Sequence, residues 1–329
     1  MSSSYRLRNW AEYEPALAAR GSIALFFSPE TIKRWRAEAR AAAKRTRGHP
    51  QVYSDAAITA LLMLQEHFRM GLRETSGLAR SLFSVLALPL PVPHHTTLSR
   101  RRRQLPATLP VRAASTTPPM PPMHLVIDST GVQLVGQGSW RQHWCGGYSG
   151  LAWMRHYLRV HFGVDEATGE LRALGVSTMS VTDGEMLPPL LAEVSAPLAQ
   201  VTGDGAYDRW SCYAAVAARP EHPRAVFPPR GGRQSSARIK QHGNSRAPPL
   251  QRDEHLRHIR RVGRRRWKAE TDYHRRSLAE TFASRWKRQF GDRVTARTFD
   301  GQATQVFIRG AVLNRLLWLG RPDSYRVDR

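Results

Sequence analysis

Between residues 124 and 227 the chain alternates short apolar runs with amphipathic segments, in an order that leaves few folds open. His124-Leu-Val-Ile-Asp128 is a short apolar run with β-branched residues, and Leu134-Val135 extends it beyond a kink expected at Gly131. Residues 157–164 alternate in the manner of a half-buried strand. Residues 170–179 form a third strand, joined to the second by a hairpin turn over 165–169. Asp183-Gly-Glu185 then opens a helix with Leu187, Leu190, Leu191 and Val194 on its apolar side. Gln200-Val-Thr202 is a fourth strand, ending at Gly203-Asp204-Gly205. Residues 208–218 read as helical with Asp208 as N-cap, and Ala225-Val-Phe227 is a fifth strand. Three strands in a meander, then helix, strand, helix, strand, require an α/β fold with a mixed sheet.

The flanks read differently. Residues 1–115 are helical in pattern: a helix over 29–43 with Ser28 as N-cap and Pro29 at its first position, a second opened by Ser54 with Ile58, Leu61, Leu62 and Leu64 inward, and a third over 74–86. This block holds 18 Lys/Arg against 7 Asp/Glu and ends in Thr96-Thr97-Leu98-Ser99 and the run Arg100 to Arg103. Short helices, a turn and a basic run suggest a helix-turn-helix-like DNA-binding region in which Arg100 and Arg101 meet phosphate. A small bundle with a merely solvated basic face would show the same pattern. A Pro-, Thr- and Ser-rich linker over 114–122 separates it from a catalytic domain expected over 123–320. Within that domain, 228–268 lacks periodicity and carries 13 Lys/Arg against Asp253 and Glu254, so it reads as a basic insertion or flexible arm. Two further helices are expected, over 271–290 and 303–319.

Charge narrows the partner. Fifty Lys/Arg face 26 Asp/Glu, a formal net charge of +24. Self-repulsion of that size points to a polyanion such as double-stranded DNA. Only Cys145 and Cys212 are present, which excludes a disulfide framework or a four-Cys zinc site within one chain. The first ten residues contain no apolar signal core, and the run around Ala60 to Leu64 is far too short to span a membrane. A cytoplasmic, nucleoid-associated location is therefore expected.

Three acids invite a chemical reading, although each has an ordinary one. Asp128 at a strand end and Asp204 between two glycines are both common turn residues, and Glu280 in a basic helix is a common ion-pair partner. The surroundings of Glu280 shift the balance. Tyr273, Arg276, Glu280 and Lys287, at about 100° per residue, fall in a stripe about 60° wide, opposite Leu278, Phe282 and Trp286. Two strand-end acids and one helix acid could hold two Mg²⁺ ions about 4 Å apart, the arrangement that supports in-line displacement at phosphorus.

The same residues carry a family resemblance. Tyr273-x₂-Arg276-x₃-Glu280-x₆-Lys287 resembles the signature around the catalytic Glu of the insertion sequence 5 family of DDE transposases. Ile127-Asp128-Ser129-Thr130-Gly131 and Gly203-Asp204-Gly205-Ala206-Tyr207-Asp208 resemble that family's two Asp motifs. Asn9-Trp10-Ala11-Glu12-Tyr13, Arg73-Glu74-Thr75 and Gly320-Arg321-Pro322 are similar to its terminal regions, so the likeness runs nearly the whole chain. It implies a ribonuclease-H-like mixed-sheet catalytic domain preceded by a helical DNA-binding domain. It also implies recognition of terminal inverted repeats, cleavage and joining to target DNA, and a homo-oligomeric synaptic complex. Asp128, Asp204 and Glu280 would be catalytic metal ligands for two Mg²⁺, with Mn²⁺ as a substitute. Tyr273, Arg276 and Lys287 would contact or support DNA.

Other classes fare worse. No G-x-x-x-x-G-K-[ST] or G-x-S-x-G motif is present, and neither His94-His95 nor His143-Trp-Cys145 has paired zinc-ligand spacing. Two related readings stay open. One is a metal-dependent endonuclease that cuts without joining. The other is a catalytically silent, sequence-specific DNA-binding protein derived from a transposase, against which the survival of all three acids together with the signature argues.

Overall fold

The computed structural model describes residues 4–36, 51–106, 108–109, 121–135, 156–230, 239–241 and 249–327. In chain order the elements begin with β1 (Ser4–Leu7), α1 (Trp10–Ala19), α2 (Pro29–Lys33), α3 (Asp55–Phe68), α4 (Leu72–Val85) and α5 (His95–Arg102). There follow β2 (Met123–Leu134), β3 (Tyr157–Asp165), β4 (Leu171–Thr178), α6 (Asp183–Glu193), β5 (Leu198–Thr202), α7 (Trp210–Ala217) and β6 (Arg224–Val226). The chain closes with α8 (Gln251–Val262), α9 (Arg264–Glu270), α10 (Ser277–Phe290), β7 (Arg293–Val294), α11 (Phe299–Leu319) and β8 (Ser324–Val327). These divide into one unit of Met1–Pro110 with Ala296–Arg329 and another of Val111–Thr295. The last long helix, assigned from sequence to the catalytic domain, thus clusters with the N-terminal residues.

The second unit is a mixed sheet in the order β4-β3-β2-β5-β6, with β7 also pairing β2. β3 runs antiparallel to β2 and β4, while β2, β5 and β6 are parallel. This is the meander-then-crossover order expected of a ribonuclease-H-like domain. Side chains alternate across the sheet. Met123, Leu125 and Ile127 join Leu187, Leu190, Val201 and Tyr213 in a core under α6 and α7. On the opposite face Phe282 of α10 packs on Phe162, ring centroids 4.6 Å apart. The buried residues of α10 are Ala279, Phe282, Trp286 and Phe290, the apolar stripe legible in the sequence with Leu278 at its half-buried margin.

Several sequence expectations need correction. β2 does not end at Asp128 or kink at Gly131: it stays paired with β3 as far as Gln133, with Gly131 opposite Arg159. Asp208 does not cap α7. Its carboxylate takes the Arg252 guanidinium (Nε at 2.7 Å) and the Arg230 N–H at 3.0 Å. Residues 251–270, read as non-periodic, form α8 and α9. Charge hid their amphipathicity, because the inward positions include Arg252, Asp253 and His255 as well as Leu256 and Trp267. The Trp267 indole N–H donates to His255 Nδ1 (3.1 Å), and His255 Nε2–H donates to the Ala225 carbonyl (2.6 Å), fastening both helices to β6. The long helix expected over 271–290 is broken, since Tyr273–Arg276 is a 3₁₀ turn entered through Asp272 at φ +54°. The helix expected over 29–43 stops at Lys33, and Arg36 instead bridges Tyr53; residues from 37, like Cys145, His143 and most of the 114–122 linker, lie outside the described residues.

The first unit is built on α3 and α11, both buried along most of their length. Ser54 caps α3 by accepting the Ala57 N–H at 3.1 Å. Trp35, Phe27 and Phe83 form an aromatic trio with centroids 5.1–6.0 Å apart. Between the two central helices the Glu66 carboxylate takes Arg309 Nε at 2.7 Å and Gln305 Nε2 at 2.9 Å, all three residues being buried. Burying a charge is tolerable only with such partners. Removing Arg309 takes away the hydrogen-bonded counter-ion of Glu66 and leaves only the charge of the buried Arg102 near it, so Arg309→Leu should cost about 3 kcal/mol in urea unfolding. A loss under about 1 kcal/mol would show the pair to be dispensable.

Candidate active site

Strand register creates the site. Val126 pairs with Thr202 on the parallel neighbour β5. Two residues further on stand Asp128, within β2, and Asp204, just past the end of β5 with its backbone still extended. Two acids 76 positions apart are thereby set at one level of adjacent strands. Gly203 makes the close approach possible, because a Cβ there would lie 2.6 Å from Tyr207 Cδ2 and 3.0 Å from Ile127 Cγ1. Asp204 then turns its Oδ1 to accept the Ala206 N–H at 2.8 Å, which opens the 3₁₀ turn Gly205–Tyr207. The turn reading is thus correct for Asp204, whereas Asp128 stands inside the continuous strand β2.

Arg276 joins the helix to the strand. Its Nη1 lies 3.2 Å from Asp128 Oδ2, and its Nη2 donates to Glu280 Oε1 one helical turn on. The other Asp128 oxygen accepts the Ser129 N–H at 2.9 Å. Burial pushes the Asp128 carboxyl above its ordinary pKa, Ser129 and Arg276 oppose that rise, and the charges of Asp204 and Asp183 add to it. The Asp128 side chain is 21% exposed and that of Glu280 is 61%. Tyr273 stands half-buried against Trp267, ring centroids 5.8 Å apart, with the Lys268 ammonium 5.3 Å from its own ring centre. Burial raises its phenol pKa, and Asp204 and Asp128 contribute, which places it in the same local field. Lys287 lies exposed near the far end of α10.

A polar string behind the site fixes the turn that carries Arg276. His124 Nε2 meets Thr202 Oγ1 at 2.8 Å and Gln200 Nε2 at 3.2 Å, and Gln200 donates to the Thr271 carbonyl at 3.1 Å. Burial lowers His124 to a pKa of about 4, so the ring is neutral at pH 7.

The structure thus brings Asp128, Arg276 and Glu280 into direct contact, sets Asp204 beside Asp128, and places Tyr273 close by. It does not close the triad. Among the described residues, no group of three or more His, Cys, Asp or Glu side chains is placed to hold a metal ion. Glu280 is turned to Arg276, whose guanidinium supplies the positive charge between two of the acids. The donor set still suits a hard divalent cation, since it consists of carboxylates with neighbouring negative charge. Arg101, expected to touch DNA, is instead buried: it binds the Asp55 carboxylate and the Tyr53 carbonyl (2.9 Å), while Arg100 is exposed. Sequence reasoning missed Asp183, which contributes to the field at Asp128. Its place in the Thr182-Glu185 capping box made it look like a helix start and nothing more.

Comparison with known families agrees with this geometry. Residues 119–315 match a family model described as a transposase DDE domain, and residues 18–137 match a second model of the same description. The first match spans more than half of the chain, which belongs to the DDE transposase family. No solved structure matches it. Among the described residues, no helix is long and apolar enough to cross a membrane.

The His124 environment makes a pH prediction. In the unfolded chain His124 protonates near pH 6.5, but in the folded chain only near 4. Between those values the unfolded chain binds the extra proton, so stability falls as pH is lowered from 6.5 to 4. Chemical denaturation across that range should show a shallower decline in His124→Gln than in wild type. Equal slopes would mean that His124 is not the group responsible.

Proposed function

We propose that this chain is a transposase of the insertion sequence 5 family that binds terminal inverted repeats, cuts at their ends and joins them to target DNA. The single observation that carries the reading is the Val126–Thr202 register, which sets Asp128 beside Asp204 with Glu280 linked to Asp128 through Arg276. That order of strand acid, strand acid and helix acid is the one the DDE family name denotes.

Asp128, Asp204 and Glu280 would hold two Mg²⁺ ions, or Mn²⁺ in their place. When bound, such ions neutralise charge developing at the scissile phosphate and lower the pKa of an attacking water. The chain's own residues do the rest. Arg276 keeps Asp128 and Glu280 together before a cation is present, and once released its planar guanidinium suits a phosphate oxygen pair. Tyr273 lies near both aspartates and offers a hydroxyl to DNA backbone. Lys287, near the end of α10, offers a point charge further along the same strand of DNA.

DNA would lie against the exposed arginines of α8 and α9, among them Arg257, Arg261, Arg265 and Arg266. The buried Trp267–His255 contact holds these helices to the sheet, so they present an ordered basic surface beside the site's own 3₁₀ turn. The N-terminal helices with exposed Arg100 would read the repeat. Such a basic surface alone would bind any polyanion, and steep salt dependence is expected from the phosphate contacts. Two copies of the chain would bring two ends together in a synaptic complex.

The test is cleavage of labelled DNA that carries the flanking repeats, with Mg²⁺ or EDTA. Wild type should nick at the repeat end only with Mg²⁺. Asp128→Asn and Glu280→Gln should bind the DNA as wild type does and cut it at least about 100-fold more slowly. Unchanged cutting by either variant would remove that residue from the mechanism, and tight binding with no Mg²⁺-dependent cut would favour a silent DNA-binding protein.

A further inference from the structure

Asp183 approaches β2 from the face opposite to Asp128. Ser129 stands opposite His161 on β3, and His161 opposite Gly175 on β4. These residues, with Arg159 and Ser177, line the patch on which the first turn of α6 rests. Over Gly175 the gap is filled by the end of the Met186 side chain, whose Cε would lie 2.8 Å from a Cβ there. The Asp183 carboxylate is the charged group of that turn that meets the patch. Its Oδ1 lies 3.4 Å from His161 Nδ1 and 3.7 Å from Arg159 Nη1, while Arg159 Nη1 also donates to the Val181 carbonyl at 2.9 Å.

His161 is completely buried, and its other nitrogen, Nε2, lies 2.8 Å from Ser177 Oγ. Among the described residues neither His161 Nδ1 nor Asp183 Oδ1 has a hydrogen-bond partner, so each is the other's nearest polar group in the buried patch. The Ser177 hydroxyl stands between Nε2 and the Thr178 carbonyl at 3.0 Å. Burial would raise the Asp183 pKa, but His161, Ser129 and Arg159 outweigh it and hold it below the ordinary value. Nearby, the Tyr207 hydroxyl is buried with no hydrogen-bond partner among the described residues, and burial, then the charges of Asp183, Asp128 and Asp204, raise its pKa. The three carboxylates therefore share one local field, although Asp183 lies on the far face of the strand.

We propose that Asp183 is a positioning residue of the active site: held by His161 and Arg159, it anchors Ser129 and thereby fixes the β2 segment that aims Asp128. Ser129 is the link because its side chain shares the face of its cross-strand neighbour His161, against which Asp183 lies, while its N–H holds Asp128 Oδ1 at 2.9 Å. The inference rests on the reading that Asp128 and Asp204 bind a divalent cation. Groups that orient metal ligands in this way commonly change metal affinity about 10–100-fold when removed.

The experiment is Mn²⁺ binding to the full chain without DNA, followed by the electron paramagnetic resonance signal of free Mn²⁺. Wild type, Asp128→Asn, Asp183→Asn, Ser129→Ala and the Asp183→Asn/Ser129→Ala double variant are compared, with circular dichroism confirming folding. Asp183→Asn and Ser129→Ala should each weaken Mn²⁺ binding by about tenfold or more, and the double variant should bind no more weakly than Asp183→Asn alone. Wild-type affinity in either single variant, with binding lost in Asp128→Asn, would overturn the role of Asp183 and leave the metal reading standing. Fully additive losses in the double variant would also overturn it, because the two groups would then act separately. Wild-type affinity in Asp128→Asn would remove the metal reading and this inference with it. Should Asp183→Asn fail to fold, Ser129→Ala alone decides, since it deletes one hydroxyl.

Discussion

The parallel pairing of β2 with β5 is the constraint on which the rest of the site depends. Side chains alternate along a strand, so a slip of one residue would turn either Asp128 or Asp204 towards the apolar core under α6 and α7. The register is held from both faces. Leu125, Ile127 and Val201 are locked in that core, and His124, Thr202 and Gln200 form the polar string on the other side. Gly203 lets Tyr207 close beneath the strand end. Packing therefore places the two aspartates together against their mutual repulsion.

That repulsion has to be met, and the chain meets it with arginine. Arg276 bridges Asp128 and Glu280, while Phe282, two positions beyond Glu280, anchors α10 on Phe162, the cross-strand neighbour of Asp128. The aromatic contact sets where the helix lies, and the guanidinium sets which way the acids turn. A cation bound beside Asp128 would compete with Arg276, whose guanidinium would then be free for phosphate. On the far face, His161 and Arg159 do the same for Asp183, keeping an ionised carboxylate under the strand.

Much of this was legible in the sequence because strand and helix periodicities are local. The meander, the crossover helices, the Ser54 cap and the aromatic face of α10 were all read from side-chain spacing. What failed were features set by distant residues. Gly131 sits in an unbroken strand because β3 pairs across it. Asp208 left its expected capping role because Arg252, 44 positions later, offers a stronger partner. Residues 251–270 concealed two helices because their inward positions carry Arg252, Asp253 and His255, whose partners lie on other elements. Arg101 looked like a phosphate contact until Asp55 was seen against it. Asp183 was masked by a capping box that is itself real. Asp128, Asp204 and Glu280 were singled out from motif and spacing, but only the fold shows that Arg276 stands between two of them.

The central claim is that Asp128 and Asp204 form one cation-binding pair, with Arg276 holding Glu280 in reserve. A crystal structure of the chain soaked in Mn²⁺, with anomalous data collected at the manganese edge, tests it most directly. The account predicts an anomalous peak within coordination distance of carboxylate oxygens from both Asp128 and Asp204, with Arg276 withdrawn from Asp128. Saturating Mn²⁺ with no peak at that pair, and Arg276 still bridging Asp128 and Glu280, would contradict it.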